Sequence, residues 1–202
     1  MNLTILGGIL KGLSWPFPEY RDLRPTSVML RRRVFDKFQN LHDHKFIDLC
    51  SGTGLMGLEA FSRGCYEVIL VEKDRKKIQQ LQHLIQNSPA LRNIASWPQL
   101  IASDFHQWLI HKYQDSPSFF QNALIYFDPP YEENDFYHKF NQFLFTCLEK
   151  TPDFLRHSFV LIEYDILKNK LAQDWTFKEF EIFKASISFI KQGQSTLAIL
   201  KF

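Results

Sequence analysis

Apolar and polar positions change their period several times along the chain, and each change marks an element. An apolar stretch from Leu3 to Leu6 is followed by Gly7-Gly8 and by a second run toward Trp15, which Pro16 and Pro18 stop. That pattern predicts two short strands joined through a glycine turn. Between Ser27 and about Leu41, the apolar residues Leu30, Val34, Phe38 and Leu41 recur at intervals of four, four and three. The interval is helical, with Ser27 as N-cap after Pro25 and with Arg32, Arg33 and Asp36 on the solvated face.

Strand and helix then alternate. Lys45 to Leu49 reads as a short apolar strand, and Leu55 to Arg63 as a helix closed by Gly64. Glu67 to Val71 is the next strand, followed by a helix capped by Asp74 and carrying Ile78, Leu81 and Ile85. A strand near Leu100 and Ile101 leads to a helix from Asp104; Leu124 to Phe127, Phe136 to Leu148 and Phe159 to Glu163 read as strand, helix and strand. Continuous apolar strands between amphipathic helices predict a parallel sheet covered on both faces. From Trp175 the pattern changes to two long strands meeting around Gln192-Gly193, an antiparallel hairpin expected at a sheet edge.

Composition narrows the class. A chain of 202 residues that is 45% hydrophobic and 23% charged suits one globular domain, or one domain with a small appendage. Its 20 phenylalanines predict an aromatic core. No apolar run reaches the roughly 18 residues that a membrane span needs, and Met1-Asn2-Leu3-Thr4 does not begin like a signal peptide, so a cytoplasmic location is expected. Cys50, Cys65 and Cys147 are too scattered for a disulfide framework or a zinc site. The histidines show no ligand spacing, with His42 and His44 read as a solvated loop, so no metal is expected. Net charge is +2, yet residues 1–45 hold eight Lys or Arg against four acids, which hints at a polyanion facing that end.

Three motifs carry candidate chemistry. Asp48-Leu49-Cys50-Ser51-Gly52-Thr53-Gly54 closes the first strand of the alternating region, where glycines let the backbone turn and approach a ligand. The helix after it offers free N–H groups to an anionic group. Gly52, Gly54 and Gly57 also satisfy G-x-G-x-x-G, so a dinucleotide has to be weighed; by spacing alone, ligand loop and plain tight turn stand level. Glu72, ending the next strand, can accept both hydroxyls of a ribose, which serves NAD and S-adenosylmethionine equally. Asp104 can accept from an adenine amine or cap the helix that follows. The third motif, Asp128-Pro129-Pro130-Tyr131, stands at the carboxyl end of the fourth strand, on the sheet edge where α/β folds bind ligands. Its prolines remove two donors and leave the carbonyls and the Asp128 carboxylate as acceptors. Acceptors pulling on the hydrogens of an exocyclic base amine would turn its lone pair toward a methyl donor, while Tyr131 offers a ring for an unstacked base. Methylation at a ring carbon would call for a cysteine nucleophile, and none neighbours Asp128.

With these motifs in register, the chain resembles the RsmD family, bacterial enzymes that methylate guanine N2 in 16S ribosomal RNA. The resemblance runs nearly end to end. It lies in Ile5-Leu6-Gly7-Gly8, Arg24-Pro25-Thr26, the stretch from Asp48 to Gly64, Val71-Glu72-Lys73-Asp74, Asp128-Pro129-Pro130-Tyr131 and Val160-Leu161-Ile162-Glu163. It implies an α/β, Rossmann-like class I methyltransferase fold: a seven-stranded, mostly parallel sheet with helices on both faces, plus an N-terminal β-hairpin extension. Residues 1–24 would be that extension and contact RNA; residues 25–202 would form the S-adenosylmethionine-dependent domain. Position by position, the resemblance implies Asp48, Gly52 and Gly54 at the methionine end of the cofactor, Glu72 at its ribose, and Asp104 with Phe105 at its adenine. Asp128, Pro129 and Tyr131 would hold the guanine, and Arg24, Arg31 and Lys11 would meet RNA. The expected partner is 16S rRNA within the small ribosomal subunit, bound by a monomer. The chain departs from the family at Val28-Met29-Leu30-Arg31-Arg32, where an acid is replaced by Arg32, and in a hairpin of low basicity.

Three other readings compete. A DNA amino-methyltransferase shares Asp-Pro-Pro-Tyr but usually needs a separate recognition domain. An NAD-dependent oxidoreductase rests on the glycine pattern alone and gives Asp128 to Tyr131 no role. A catalytically silent RNA-binding assembly factor would not need Asp128 and Tyr131 intact.

Overall fold

The computed structural model describes residues 2–17, 26–88, 97–130, 134–165 and 177–202. Two compact units divide the chain, Met1–Asp104 and Phe105–Phe202.

In the first unit, β1 (Asn2–Thr4) and β2 (Ser14–Pro16) pair antiparallel, with Leu3 opposite Trp15 and both side chains buried. The regular ladder is shorter than the apolar run suggests. Beyond Thr4 it continues only as Ile5 N–H to Leu13 O and Gly12 N–H to Ile5 O, while Gly8, at φ +75°, starts a 3-10 turn over Gly8–Leu10. Helix α1 (Val28–Lys37) begins as its sequence predicts, with Ser27 Oγ accepting from the Leu30 N–H at 3.1 Å. Leu30, Val34, Phe38 and Leu41 are all buried, and Arg32, Arg33 and Asp36 are exposed. The helix nevertheless stops at Lys37 rather than near Leu41. Asn40 Oδ1 accepts from the His42 N–H at 3.3 Å, the local bond that a short polar side chain offers in place of another helical turn.

Next come β3 (Lys45–Leu49), α2 (Leu55–Ser62), β4 (Glu67–Glu72), α3 (Arg75–Asn87) and β5 (Gln99–Ala102). The strands run parallel in the order β5-β4-β3. Every residue of β3 is buried, which accounts for its unbroken apolar character around Asp48. Asp74 Oδ1 caps α3 through the Lys76 N–H at 2.8 Å, and Ile78 and Leu81 turn inward.

The second unit holds α4 (Phe105–Asp115), β6 (Ala123–Phe127), α5 (Asn134–Lys150), β7 (Phe159–Asp165), β8 (Ser186–Gln192) and β9 (Ser195–Lys201). Its strands follow the order β6-β7-β9-β8; β6 and β7 are parallel, and β9 runs antiparallel to both of its neighbours. The sheet thus has seven strands and is mostly parallel, with the C-terminal hairpin at its edge. Only the start of that hairpin differs from the sequence pattern. Trp175 lies outside the described residues, and Lys178–Phe183 forms a 3-10 segment. Left-handed backbone at Phe177 (φ 53°) and Lys184 (φ 63°) breaks the extended run and turns Phe177 and Phe180 into the core. Many of the phenylalanines serve this unit. Phe120, Phe143 and Phe154 meet one another with ring centroids 6.0 to 6.3 Å apart and steeply inclined planes. No described helix is long and apolar enough to cross a membrane.

Candidate active site

The first unit builds a cradle at the carboxyl ends of its strands. Asp48 is the penultimate residue of β3 and is 2% exposed. Beyond it the chain cannot continue extended: Cys50, Gly52 and Gly54 all take left-handed backbone, at φ 60°, 53° and 69°. Gly54 is the N-cap of α2, and a Cβ there would press on Leu81 as well as strain the backbone. Ser51 N–H donates to Val71 O at 2.9 Å and Gly54 N–H to Ser51 O at 2.7 Å, so the loop is folded back on β4 and on itself.

Glu72 ties three loops together. Its Oε2 accepts from the Gly52 N–H and its Oε1 from the Asp74 N–H, both at 2.8 Å. Its main-chain oxygen accepts from the Ser103 N–H at 3.1 Å. A single strand-end acid therefore sets the glycine loop, the start of α3 and the turn that carries half-buried Asp104. The sequence offers Glu72 as a candidate ribose acceptor and gives no sign of this clasp. Ser103 carries no such sign either, because its bond uses only backbone.

Asp48 has a partner of its own. Its Oδ2 accepts from the Gly57 N–H at 3.1 Å, one turn into α2. Burial pushes its carboxyl up to about 8; the Gly57 hydrogen bond acts against that, and the neighbouring Glu72 charge adds to it. A carboxyl that burial keeps protonated is drawn toward ionisation by a cationic group placed beside it. This suits the ammonium of an amino acid better than a phosphate, and Glu72 retains lone pairs for hydroxyls.

In the second unit, β6 is buried along its whole length and delivers Asp128 half-buried, Pro129 buried and Pro130 exposed. Tyr131 lies outside the described residues. Behind this turn, Tyr126 Oη donates to Glu163 Oε2 on β7, and Tyr137 Oη on α5 donates to Glu163 O at 2.9 Å. The end of β6 is thereby fixed from two elements. Phe105, expected beside adenine, is 3% exposed, its ring packed against Phe127 and Phe136 with centroids 5.0 and 5.3 Å away. Its backbone at the start of α4, rather than its ring, is what it can offer a ligand.

The residues expected at RNA divide. Lys11 is exposed just after the 3-10 turn of the hairpin, and Arg24 lies outside the described residues. Arg31 departs from expectation. It is 2% exposed, donates from Nη1 to Thr4 O at 3.0 Å and pairs with Glu59 Oε2 at 3.5 Å. A guanidinium enclosed by the hairpin and α2 has no free face for a phosphate, so its place is inside the unit.

The three cysteines form no disulfide, and burial pushes the thiols of Cys65 and Cys147 up to about 12, where they are inert. No group of residues fit to hold a metal occurs among the described residues.

A mostly parallel seven-stranded sheet with one antiparallel strand, and a glycine loop and acids at its strand ends, defines a class I methyltransferase fold. A precorrin-6y C5,15-methyltransferase of Geobacter metallireducens shares it with a TM-score of 0.59 at 11% identity, over 92% of this chain and 93% of that one. The family model described as Conserved hypothetical protein 95 matches residues 3–200, and the chain belongs to that family, the RsmD family of methyltransferases. Ribosomal RNA small subunit methyltransferase D of Escherichia coli K12 is 31% identical over 131 residues, or 64% of this chain. That match spans 61% of the relative's length. A hypothetical protein of Thermus thermophilus superposes with a TM-score of 0.70 at 20% identity, covering 99% of both chains.

Proposed function

We propose that the protein transfers a methyl group from S-adenosylmethionine to the exocyclic N2 of a guanine in small-subunit ribosomal RNA. The observation that carries the reading is the clasp at Glu72, where one carboxylate sets the glycine loop through the Gly52 N–H and keeps lone pairs for ribose hydroxyls. S-adenosylmethionine fits the surrounding residues. Asp48 would face the methionine ammonium, Gly52 and Gly54 would admit the chain's close approach, and Asp104 with the Phe105 backbone would meet adenine.

When bound, the cofactor supplies an electrophilic methyl on a sulfonium. The chain's own residues do the rest. Asp128 carboxylate and Pro129 carbonyl would accept the two hydrogens of the guanine amine and so free its lone pair. Tyr131 would stack the extruded base. Rate then comes from alignment and from a fixed negative group beside the charge that develops on the nitrogen. No strong base is needed for this, since the amine sheds its proton only after the new bond forms, to the Asp128 carboxylate and from there to solvent. The hairpin extension, residues 1–24, is assigned to RNA contact, with Lys11 an exposed cation among its described residues.

Incubation with labelled S-adenosylmethionine and small subunits, naked rRNA or DNA tests the reading. Label is expected in small-subunit rRNA and, after digestion, in N2-methylguanosine. Label only in DNA, or in another nucleoside, overturns it; S-adenosylhomocysteine binding without transfer to any of the three would favour a silent assembly factor.

A further inference from the structure

The hairpin is held to α2 by two side chains from the last turn of that helix, Glu59 and Ser62, with the cap residue Arg63 bracing Glu59. Glu59, 0% exposed, accepts the Leu6 N–H on Oε2 at 2.7 Å. Ser62 Oγ accepts the Leu10 N–H at 2.9 Å and donates to Gly7 O at 2.5 Å. Arg63 Nε donates to Glu59 Oε1 at 2.8 Å while its guanidinium lies over the Phe35 ring at 5.1 Å. From the other side Arg31 joins Glu59 to Thr4 O. Thr4, Leu6, Gly7 and Leu10 of the hairpin backbone are thus each held by a side chain from α1 or α2. Close approach depends on Gly8: at φ +75°, any Cβ there would collide with the Ser62 carbonyl.

Helix α2 starts immediately after the glycine loop, at Gly54, and the grip sits at its other end. Eight residues of helix span roughly 12 Å, and a helix so short and so buried moves as one piece. Whatever fixes the hairpin on Glu59 therefore also fixes it relative to the cofactor loop. A simple packed appendage would not need this. Apolar contact would bury the hairpin, whereas a buried acid with two arginines and a backbone N–H defines one orientation only, at the cost of desolvating all of them.

We propose that Glu59 is a positioning residue for RNA, orienting the hairpin against the helix that closes the cofactor loop. The inference rests on the reading of the hairpin as an RNA contact, and it assigns Glu59 no contact with either substrate. The carboxylate accepts from Leu6 N–H and both guanidiniums at once. Removing it should let the hairpin turn on its remaining contacts, weakening the fit to RNA while leaving the loop at Gly52 and Glu72 in place.

The test combines amide hydrogen exchange, S-adenosylhomocysteine calorimetry and steady-state transfer to small-subunit rRNA on wild type, Glu59→Ala, Glu59→Gln and Gly8→Ala. In Glu59→Ala, Leu6 should lose exchange protection while β3 and β4 keep theirs. The KM for RNA should rise about tenfold or more, with kcat and S-adenosylhomocysteine affinity within about threefold. Glu59→Gln should recover part of the KM, because its amide oxygen still accepts from Leu6. Gly8→Ala, which lies off α2, should reproduce the KM effect. Unchanged KM despite lost protection at Leu6 overturns the inference, as does retained protection, or loss of S-adenosylhomocysteine binding in both alanine variants. If wild type transfers nothing to rRNA, the functional reading fails instead, and the exchange data still report whether Glu59 holds the hairpin.

Discussion

The Gly52 N–H donates to Glu72 Oε2 at 2.8 Å, joining the glycine loop after β3 to the last residue of β4. The other carboxylate oxygen accepts from Asp74 N–H at the same distance, so Glu72 shapes the cradle before any ligand reaches it. Replacing it with glutamine leaves one acceptor oxygen and points an amide at a backbone N–H. A buried hydrogen bond to a charged group contributes about 1.5–3 kcal/mol. Glu72→Gln should lower unfolding stability by about that amount and weaken S-adenosylhomocysteine binding about tenfold or more. Calorimetry and urea unfolding measure both. Loss of affinity with no loss of stability would mean that Glu72 serves the ligand alone.

Asp48 makes stability depend on pH in an unusual direction. Its carboxyl, about 8 in the folded protein against 3.8 ordinarily, holds its proton over a range where the unfolded chain has released it. Folding therefore takes up a proton between about pH 4 and pH 8, and stability falls as pH rises through that window, by up to about 1.4 kcal/mol per pH unit. Below pH 4 both states are protonated and the contribution is flat. Asp48→Asn should remove the slope, because the asparagine oxygen still accepts from Gly57 N–H and nothing titrates. Urea unfolding of both proteins at pH 5 and pH 8 is the measurement; parallel changes in the two would refute the assignment.

Asp128 is assigned a role in turnover and none in holding the cofactor. Asp128→Ala should reduce methyl transfer by about a hundredfold or more, the scale on which single preorganised electrostatic groups act. S-adenosylhomocysteine affinity should stay within about twofold, since the proposed cradle residues Asp48 and Glu72 are untouched. Transfer near the wild-type rate would remove the carboxylate from the mechanism.

What could be read from the chain follows the range of the forces involved. Ser27 and Asp74 act within three residues of themselves, and both caps form as their sequence predicts. Leu30, Val34, Phe38 and Leu41 turn inward because a helical interval states its buried face directly. The glycine loop was legible as a turn and a ligand loop alike; it took the pairing of β3 with β4 to bring Gly52 to Glu72. Arg31 failed for the same reason. Its partners Glu59 and Thr4 are distant in sequence, so a surface cation and a buried anchor look identical on the page. The 3-10 segment over Lys178–Phe183 was equally hidden, because its left-handed ends fall on Phe177 and Lys184, residue types that carry no turn signal.

Arg31 and Lys11 can be told apart by substitution. If Arg31 met RNA as a surface cation, Arg31→Lys would keep its charge and nearly all of its binding. Inside the unit, Thr4 O and Glu59 Oε2 both draw on Nη1, and a lysine ammonium on its shorter stem falls short of that position, leaving Glu59 with incomplete partners. Stability should then fall by about 1–3 kcal/mol, the scale of leaving a buried hydrogen-bonding group unsatisfied. RNA binding tells the second half. Each phosphate contact steepens the logarithmic dependence of affinity on salt by about 0.7 for single-stranded RNA. Lys11→Ala should reduce that slope by about this much without altering stability, because Lys11 is exposed. Arg31→Lys should leave the slope unchanged while the protein unfolds at lower urea. A variant at Arg31 that flattened the salt dependence and unfolded like wild type would return the residue to the RNA surface.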